Sequence, residues 1–140
     1  MYKIYKKVIF EDYANFEGRA RRKEYWQFTL MNFIILVSVI AIGGFLSLIS
    51  QELFIIISTI IIILLYFVLT IIPTIAVAVR RLHDINKSGW FYLIQFIPFI
   101  GGLWFLFLMV LDGDYYPNQY GADPKNEFDE INEIGVESKW

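Results

Sequence analysis

The sequence predicts an all-α integral membrane protein, a helical bundle of three transmembrane helices with an N-terminal interfacial amphipathic helix. Two observations carry this. Hydrophobic residues are 57% and aromatic residues 19% of the 140 positions, whereas a soluble domain is roughly half apolar. Three stretches hold no charged residue, Phe28–Ile49, Leu53–Val79 and Trp90–Leu111, with 22, 27 and 22 residues. About 20 residues take a helix across a hydrocarbon core of roughly 30 Å. A helix on a soluble core keeps one polar face. Here Ser38, Ser47, Ser58, Thr59 and Thr70 are scattered, and each can bond the carbonyl one turn back.

In YKIYKKVIFEDYANF, Tyr5, Ile9, Tyr13 and Phe16 recur at helical spacing, with Lys3, Lys6 and Lys7 elsewhere around the axis. That pattern fits a short helix lying in the membrane interface. The first run follows 27 polar-rich residues with no small-residue cleavage site, so it reads as a retained anchor. Only Ser50, Gln51 and Glu52 separate the first two runs, which demands a tight antiparallel helical hairpin. The second run would extend about 40 Å at 1.5 Å per residue, so it must tilt, bend or protrude. Pro73 supplies a bend.

The third run contains Pro98 and Gly101-Gly102. A single crossing is expected because its length suits one, and a re-entrant pair of half-helices is the alternative. Seven Lys or Arg precede the first run and three lie in Arg80–Lys87, but none lies in the Ser50–Glu52 turn. Positive charge stays on the cytoplasmic side. The N-terminus and the Arg80–Lys87 loop are therefore expected in the cytoplasm, and three crossings place the C-terminus outside. Residues 1–124 are read as the membrane domain and 125–140 as an acidic, flexible tail. Asp112-Gly113-Asp114 lacks the later carboxylate of a calcium loop and reads as a turn.

The chain has no cysteine, which removes disulfides, thiolate metal sites and cysteine nucleophiles. No cofactor is expected. Polar chemistry concentrates in FEGRARRKEYW, Phe16–Trp26, and RRLHDINKSGW, Arg80–Trp90. On the orientation above both lie at one membrane face. Arg19, Arg21, Arg22, Lys23, Arg80, Arg81 and Lys87 then meet only Glu17, Glu24 and Asp84, an excess of four positive charges.

These stretches resemble the domain-of-unknown-function 805 family of small bacterial inner-membrane proteins. The pattern F-x-G-R-A-x-R-x-E-Y-W runs from Phe16 to Trp26, and R-R-L-H-D-x-x-x-S-G-W from Arg80 to Trp90. Ile97-Pro98-Phe99-Ile100-Gly101 and Asn118-Gln119-Tyr120-Gly121-Ala122-Asp123-Pro124 follow in order. The resemblance implies a bacterial plasma-membrane location. It supplies no catalytic residues.

Tyr25, Trp26 and Trp90 are rings suited to anchoring at an interface, and Ser88 can cap the third segment. A lone His83-Asp84 pair makes zinc binding improbable. Its structural reading is a lock, with His83 and Asp84 bonded to backbone and arginines and with a tie such as Glu24 to Arg81. Its ligand reading is a platform for anionic lipid or phosphate formed by Arg19, Arg21, Arg22, Glu24, Arg80, Arg81, His83, Asp84 and Lys87. The leading functional expectation is an accessory or interaction protein, not an enzyme, whose polybasic cytoplasmic face contacts anionic lipid, a protein partner or a second copy. Nucleic acid is excluded as a partner, because lipid phosphates would occupy these cations. A small oligomeric transporter is the alternative, weakened by the lack of ionisable residues in the runs. A headgroup-level enzyme using His83 and Asp84 is a further one. Asn32 and Gln95 are expected to hydrogen-bond between helices.

Overall fold

A computed structural model describes residues 1–124, and the 125–140 tail lies outside the described residues. In order come α1, Tyr2–Lys6, continued by a π-helical turn, Lys7–Glu11; α2, Arg22–Ser50; α3, Leu53–Asp84; a 3₁₀ segment, Gly89–Phe96; and α4, Gly101–Val110. The residues group into two compact units. One is Met1–Ala14 with Trp26–Thr74, and the other, among the described residues, is Asn15–Tyr25 with 75–124.

In the first unit, α2 and α3 are long and apolar enough to cross a membrane, and almost none of their apolar length is buried by protein. Phe33, Phe45, Leu48, Leu53, Phe54 and Phe67 are all exposed. A soluble core helix would bury such residues, so lipid must cover them. The turn is as tight as the sequence requires. Gln51 adopts φ +58° and its N–H reaches the Ser47 carbonyl at 2.9 Å, a left-handed helix stop. Gly43 is buried, and a Cβ there would lie 2.4 Å from the Thr59 side chain. Its missing side chain lets the two helices approach.

The N-terminal segment is helical, but it does more than present the expected Tyr5–Ile9–Tyr13 face. The π turn shifts the phase, so Val8 is fully buried while Phe10 is exposed. Tyr5 stacks on Phe28 at 5.5 Å, and its hydroxyl lies 3.4 Å from Asn32 Oδ1 and 3.3 Å from the Tyr66 hydroxyl. Tyr66 also donates to Asn32 Oδ1, the interhelical bond expected of Asn32. Pro73 sits inside α3. Having no N–H, it frees the carbonyl four residues earlier, that of Leu69. The Tyr13 hydroxyl donates to that carbonyl at 2.9 Å.

In the second unit, α3 ends in a Schellman arrangement. The Lys87 N–H bonds the Leu82 carbonyl at 2.9 Å and the Asn86 N–H bonds that of His83 at 3.0 Å, with Asn86 at φ +55°. Ser88 then accepts from the Trp90 N–H at 3.4 Å, capping the 3₁₀ segment as expected.

The third run is not one crossing helix. It breaks at Pro98–Ile100 into the 3₁₀ segment and the ten-residue α4. At about 2.0 and 1.5 Å per residue, each limb spans roughly 15 Å, half a hydrocarbon core. The limbs fold against each other. Tyr92 meets Phe105 edge to face at 5.6 Å, and a Cβ on Gly101 would collide with the Ile94 carbonyl at 2.1 Å. Phe99 turns the tip at φ +69°. Pro98 contributes no donor there, and the N–H groups of Ile100 and Gly101 donate to the carbonyls of Pro98 and Ile97, within the turn. Leu82, Ile85, Leu108 and Met109 form the core of this unit, with Tyr25, Tyr92 and Phe105 against it. Beyond α4 the chain returns to the end of α3, where the Asp114 N–H donates to the Asp84 carbonyl at 2.9 Å. Limbs that leave and return to one place make a hairpin, so the third run is not the single unbroken helix expected from its length.

Candidate functional site

Asp84 stands at the centre of the second unit. Arg19 Nε donates to its Oδ1 at 3.0 Å and Arg81 Nη1 to its Oδ2 at 2.5 Å. The three side chains are almost completely buried. Burial disfavours charge on Asp84, and two guanidiniums offset that cost. Arg19 also donates to the carbonyls of Tyr116 at 3.0 Å, Asp84 at 3.3 Å and Asp114. A Cβ on Gly113 would come within 2.1 Å of Asp84 Oδ2, so only glycine fits that turn.

The remaining arginines explain why the motifs are basic. Arg81 donates to the carbonyls of Met109, at 3.3 Å, and of Leu111. Arg22 donates to the Val110 carbonyl at 3.1 Å and pairs with Asp112. Three carbonyls that the end of α4 leaves unpaired are thus bonded by cations, the sign the helix dipole favours there. Arg80 pairs with Glu24 at 3.1 Å. The expected Glu24–Arg81 tie is corrected by one residue, because successive residues on a helix point about 100° apart.

His83 Nδ1 lies 3.2 Å from the Gly18 carbonyl, and Gly18 has φ +77°. The imidazole stacks on Tyr120 at 3.8 Å and 2°. The His83 carbonyl accepts from Asn118 Nδ2 at 2.9 Å, and Asn118 Oδ1 holds the Tyr120 N–H at 2.9 Å. The Ala20 N–H donates to the Arg80 carbonyl at 2.9 Å. Three sequence motifs therefore meet in one knot.

Of the proposed platform, Arg19, Arg80, Arg81 and Asp84 are buried. Arg21 and Glu24 are half-buried, and Arg22, Lys23 and Lys87 are exposed. Lys87 sits 5.8 Å over the Phe91 ring. Among the anchors, Tyr25 packs on the core while Trp26 and Trp90 are exposed. Sequence reasoning missed Asp112, Gly113, Asn118 and Tyr120 as parts of the site. Their signal was the Asn118–Pro124 pattern, which carried no chemistry until its partners were known. With Asp112, Asp114 and Asp123, the described residues of this unit hold seven Lys or Arg and six carboxylates, and the excess of four becomes one. A cavity of about 290 Å³ is lined by Arg21, Arg22, Lys23, Asp84, Gly113 and Asp123. Among the described residues no group of three potential metal ligands comes together.

Two long lipid-exposed helices and a knot of buried ion pairs define a helical membrane protein. Residues 13–122 match the family described as "Protein of unknown function (DUF805)", and the chain belongs to that family. It is 41% identical over 117 residues to inner membrane protein YhaI of Escherichia coli, covering 84% of this chain and 92% of the relative. To inner membrane protein YhaH it is 39% identical over 123 residues, covering 88% and 97%. No solved structure matches the chain.

Proposed function

We propose that the protein is an accessory protein of the bacterial inner membrane whose cytoplasmic rim holds anionic lipid headgroups. The observation that carries this is the cavity walled by Arg21, Arg22 and Lys23 where α2 begins. Near an anionic leaflet each such cation contributes about 1 kcal/mol. Asp84 and Asp123 also line the cavity, and Arg19 and Arg81 balance Asp84, which leaves three cations against Asp123. The inner-membrane names of the two relatives support the location.

The same reading has α2 and α3 as two crossings, Trp90–Leu111 dipping in and returning, and the N-terminal helix at the interface. The N-terminus, the Arg80–Lys87 loop and residues 112–124 all face the cytoplasm. The distribution of Lys and Arg supports this orientation, and the Asp114–Asp84 backbone bond supports the common side. No catalysis is assigned to His83 and Asp84, since Asp84 is enclosed by its ion pairs and His83 Nδ1 is committed to Gly18.

Two experiments test the reading. In nanodiscs of mixed phosphatidylglycerol and phosphatidylcholine, the protein should retain the anionic lipid preferentially, less so at high salt. Arg21→Gln with Arg22→Gln and Lys23→Gln should lose the preference, and its persistence in that variant would end the rim assignment. Single cysteines at Asn86 and Ala122 should label from the cytoplasmic side and one at Glu52 from outside. Outside labelling at Ala122 would restore a third crossing.

A further inference from the structure

A second cavity in the same unit, of about 510 Å³, has a different character. Its size, apolar walls and few polar groups match those of small-molecule sites. Ile75, Val79 and His83 line it at successive intervals of four, so it follows one face of α3. From Ile75 to His83 that face runs about 12 Å. Leu93 and Trp90 form an opposing wall, with Trp90 79% exposed. Tyr120 closes the polar end beside His83. The groove is thus apolar where α3 is still part of its uncharged run and polar where that run ends.

The hydrogen-bonding character of the polar end follows from the ring. A carbonyl only accepts, so the contact with Gly18 puts the proton of neutral His83 on Nδ1. Nε2 is then an acceptor, and no partner for it is present among the described residues. Stacking on Tyr120 fixes the plane in which it accepts. No lysine, arginine or carboxylate lines the groove. At Nε2 a phosphate oxygen would meet a lone pair, whereas a hydroxyl would find its acceptor; the Ser88 and Tyr120 hydroxyls that also line the groove can donate or accept.

We infer that this groove seats one glycerophospholipid, its acyl chain along Ile75 and Val79 and a headgroup hydroxyl donating to His83 Nε2. Lipid is the occupant because the groove floor continues the membrane-crossing face of α3, where acyl chains are the apolar solvent. This deepens the lipid reading of the rim but does not depend on charge.

The test keeps Trp90 as the reporter in a variant with Trp26, Trp104 and Trp140 replaced by Phe. Its fluorescence is quenched by brominated-chain lipids in nanodiscs of phosphatidylcholine. Two anionic lipids are compared, phosphatidylglycerol and phosphatidylmethanol, which share a charge and differ in the hydroxyls. Phosphatidylglycerol should quench at a mole fraction about threefold to tenfold lower, the factor one neutral hydrogen bond supplies. His83→Asn keeps a donor where Nδ1 stands and lacks Nε2; it should erase the difference. His83→Phe, which keeps a ring for Tyr120 to stack on, should do the same. Equal quenching by the two lipids in the parent protein would overturn the inference while leaving the charged rim intact. A phosphatidylglycerol advantage surviving in both His83 variants would overturn it too. Loss of the advantage only with Arg21, Arg22 and Lys23 would assign it to the rim.

Discussion

The Tyr13 hydroxyl donates at 2.9 Å to the carbonyl of Leu69, the one acceptor in α3 that Pro73 deprives of its helical donor. A proline inside a membrane helix has thereby been matched with a side chain from a distant part of the sequence. Tyr13→Phe should destabilise the protein by about 0.6–2 kcal/mol, read as a lower midpoint of thermal unfolding in detergent. In a Pro73→Ala background Leu69 regains its N–H partner, and Tyr13→Phe should then cost much less. Equal costs in both backgrounds would show that the bond does not compensate for the proline.

Asp84 is the most consequential single position. Asp84→Asn leaves Arg19 and Arg81 buried beside a neutral amide and should cost about 3–5 kcal/mol. Reduced yield and a lower unfolding midpoint are the expected readouts. Stability within 1 kcal/mol of the parent would mean that water or lipid reaches the two guanidiniums.

For Glu24 and Arg80, paired at 3.1 Å, a double-mutant cycle with Gln at both positions should give a coupling of about 0.5–3 kcal/mol. The same cycle between Glu24 and Arg81 should give a much smaller one. The reverse order would favour the pairing expected from the sequence.

Close approach of α2 and α3 at Gly43 gives a fourth expectation. Gly43→Ala introduces a Cβ 2.4 Å from Thr59 atoms, and should lower stability by about 1–3 kcal/mol. Thr59→Gly should recover part of the loss. An unchanged midpoint in Gly43→Ala alone would mean that the helices can separate at little cost.

The crossing helices were legible because length and freedom from charge are local properties, and so was the Ser50–Glu52 turn. The third run defeated that logic, having the same 22-residue length as the first. What breaks it is tertiary, namely the fit of Gly101 against the Ile94 carbonyl and the bonding of α4's last carbonyls by Arg81 and Arg22. The charge count changes for the same reason. The excess of four counts the two motifs alone, and the structure gathers Asp112, Asp114 and Asp123 into the unit that holds those cations. Asn32 bonds between helices as expected, but Gln95 does not. Its Nε2 is buried without a hydrogen-bond partner among the described residues.

The backbone bond from Asp114 to Asp84 bears on how the chain enters its membrane. On the proposed topology, the segments before Phe28 and after Val79 never leave the side on which the ribosome works. The only polar stretch that the insertion machinery has to carry through the bilayer is Ser50-Gln51-Glu52, and Glu52 is its only charge. A hairpin of two greasy helices joined by three small-to-medium side chains can slip across as a unit. On that topology no arginine has to cross lipid.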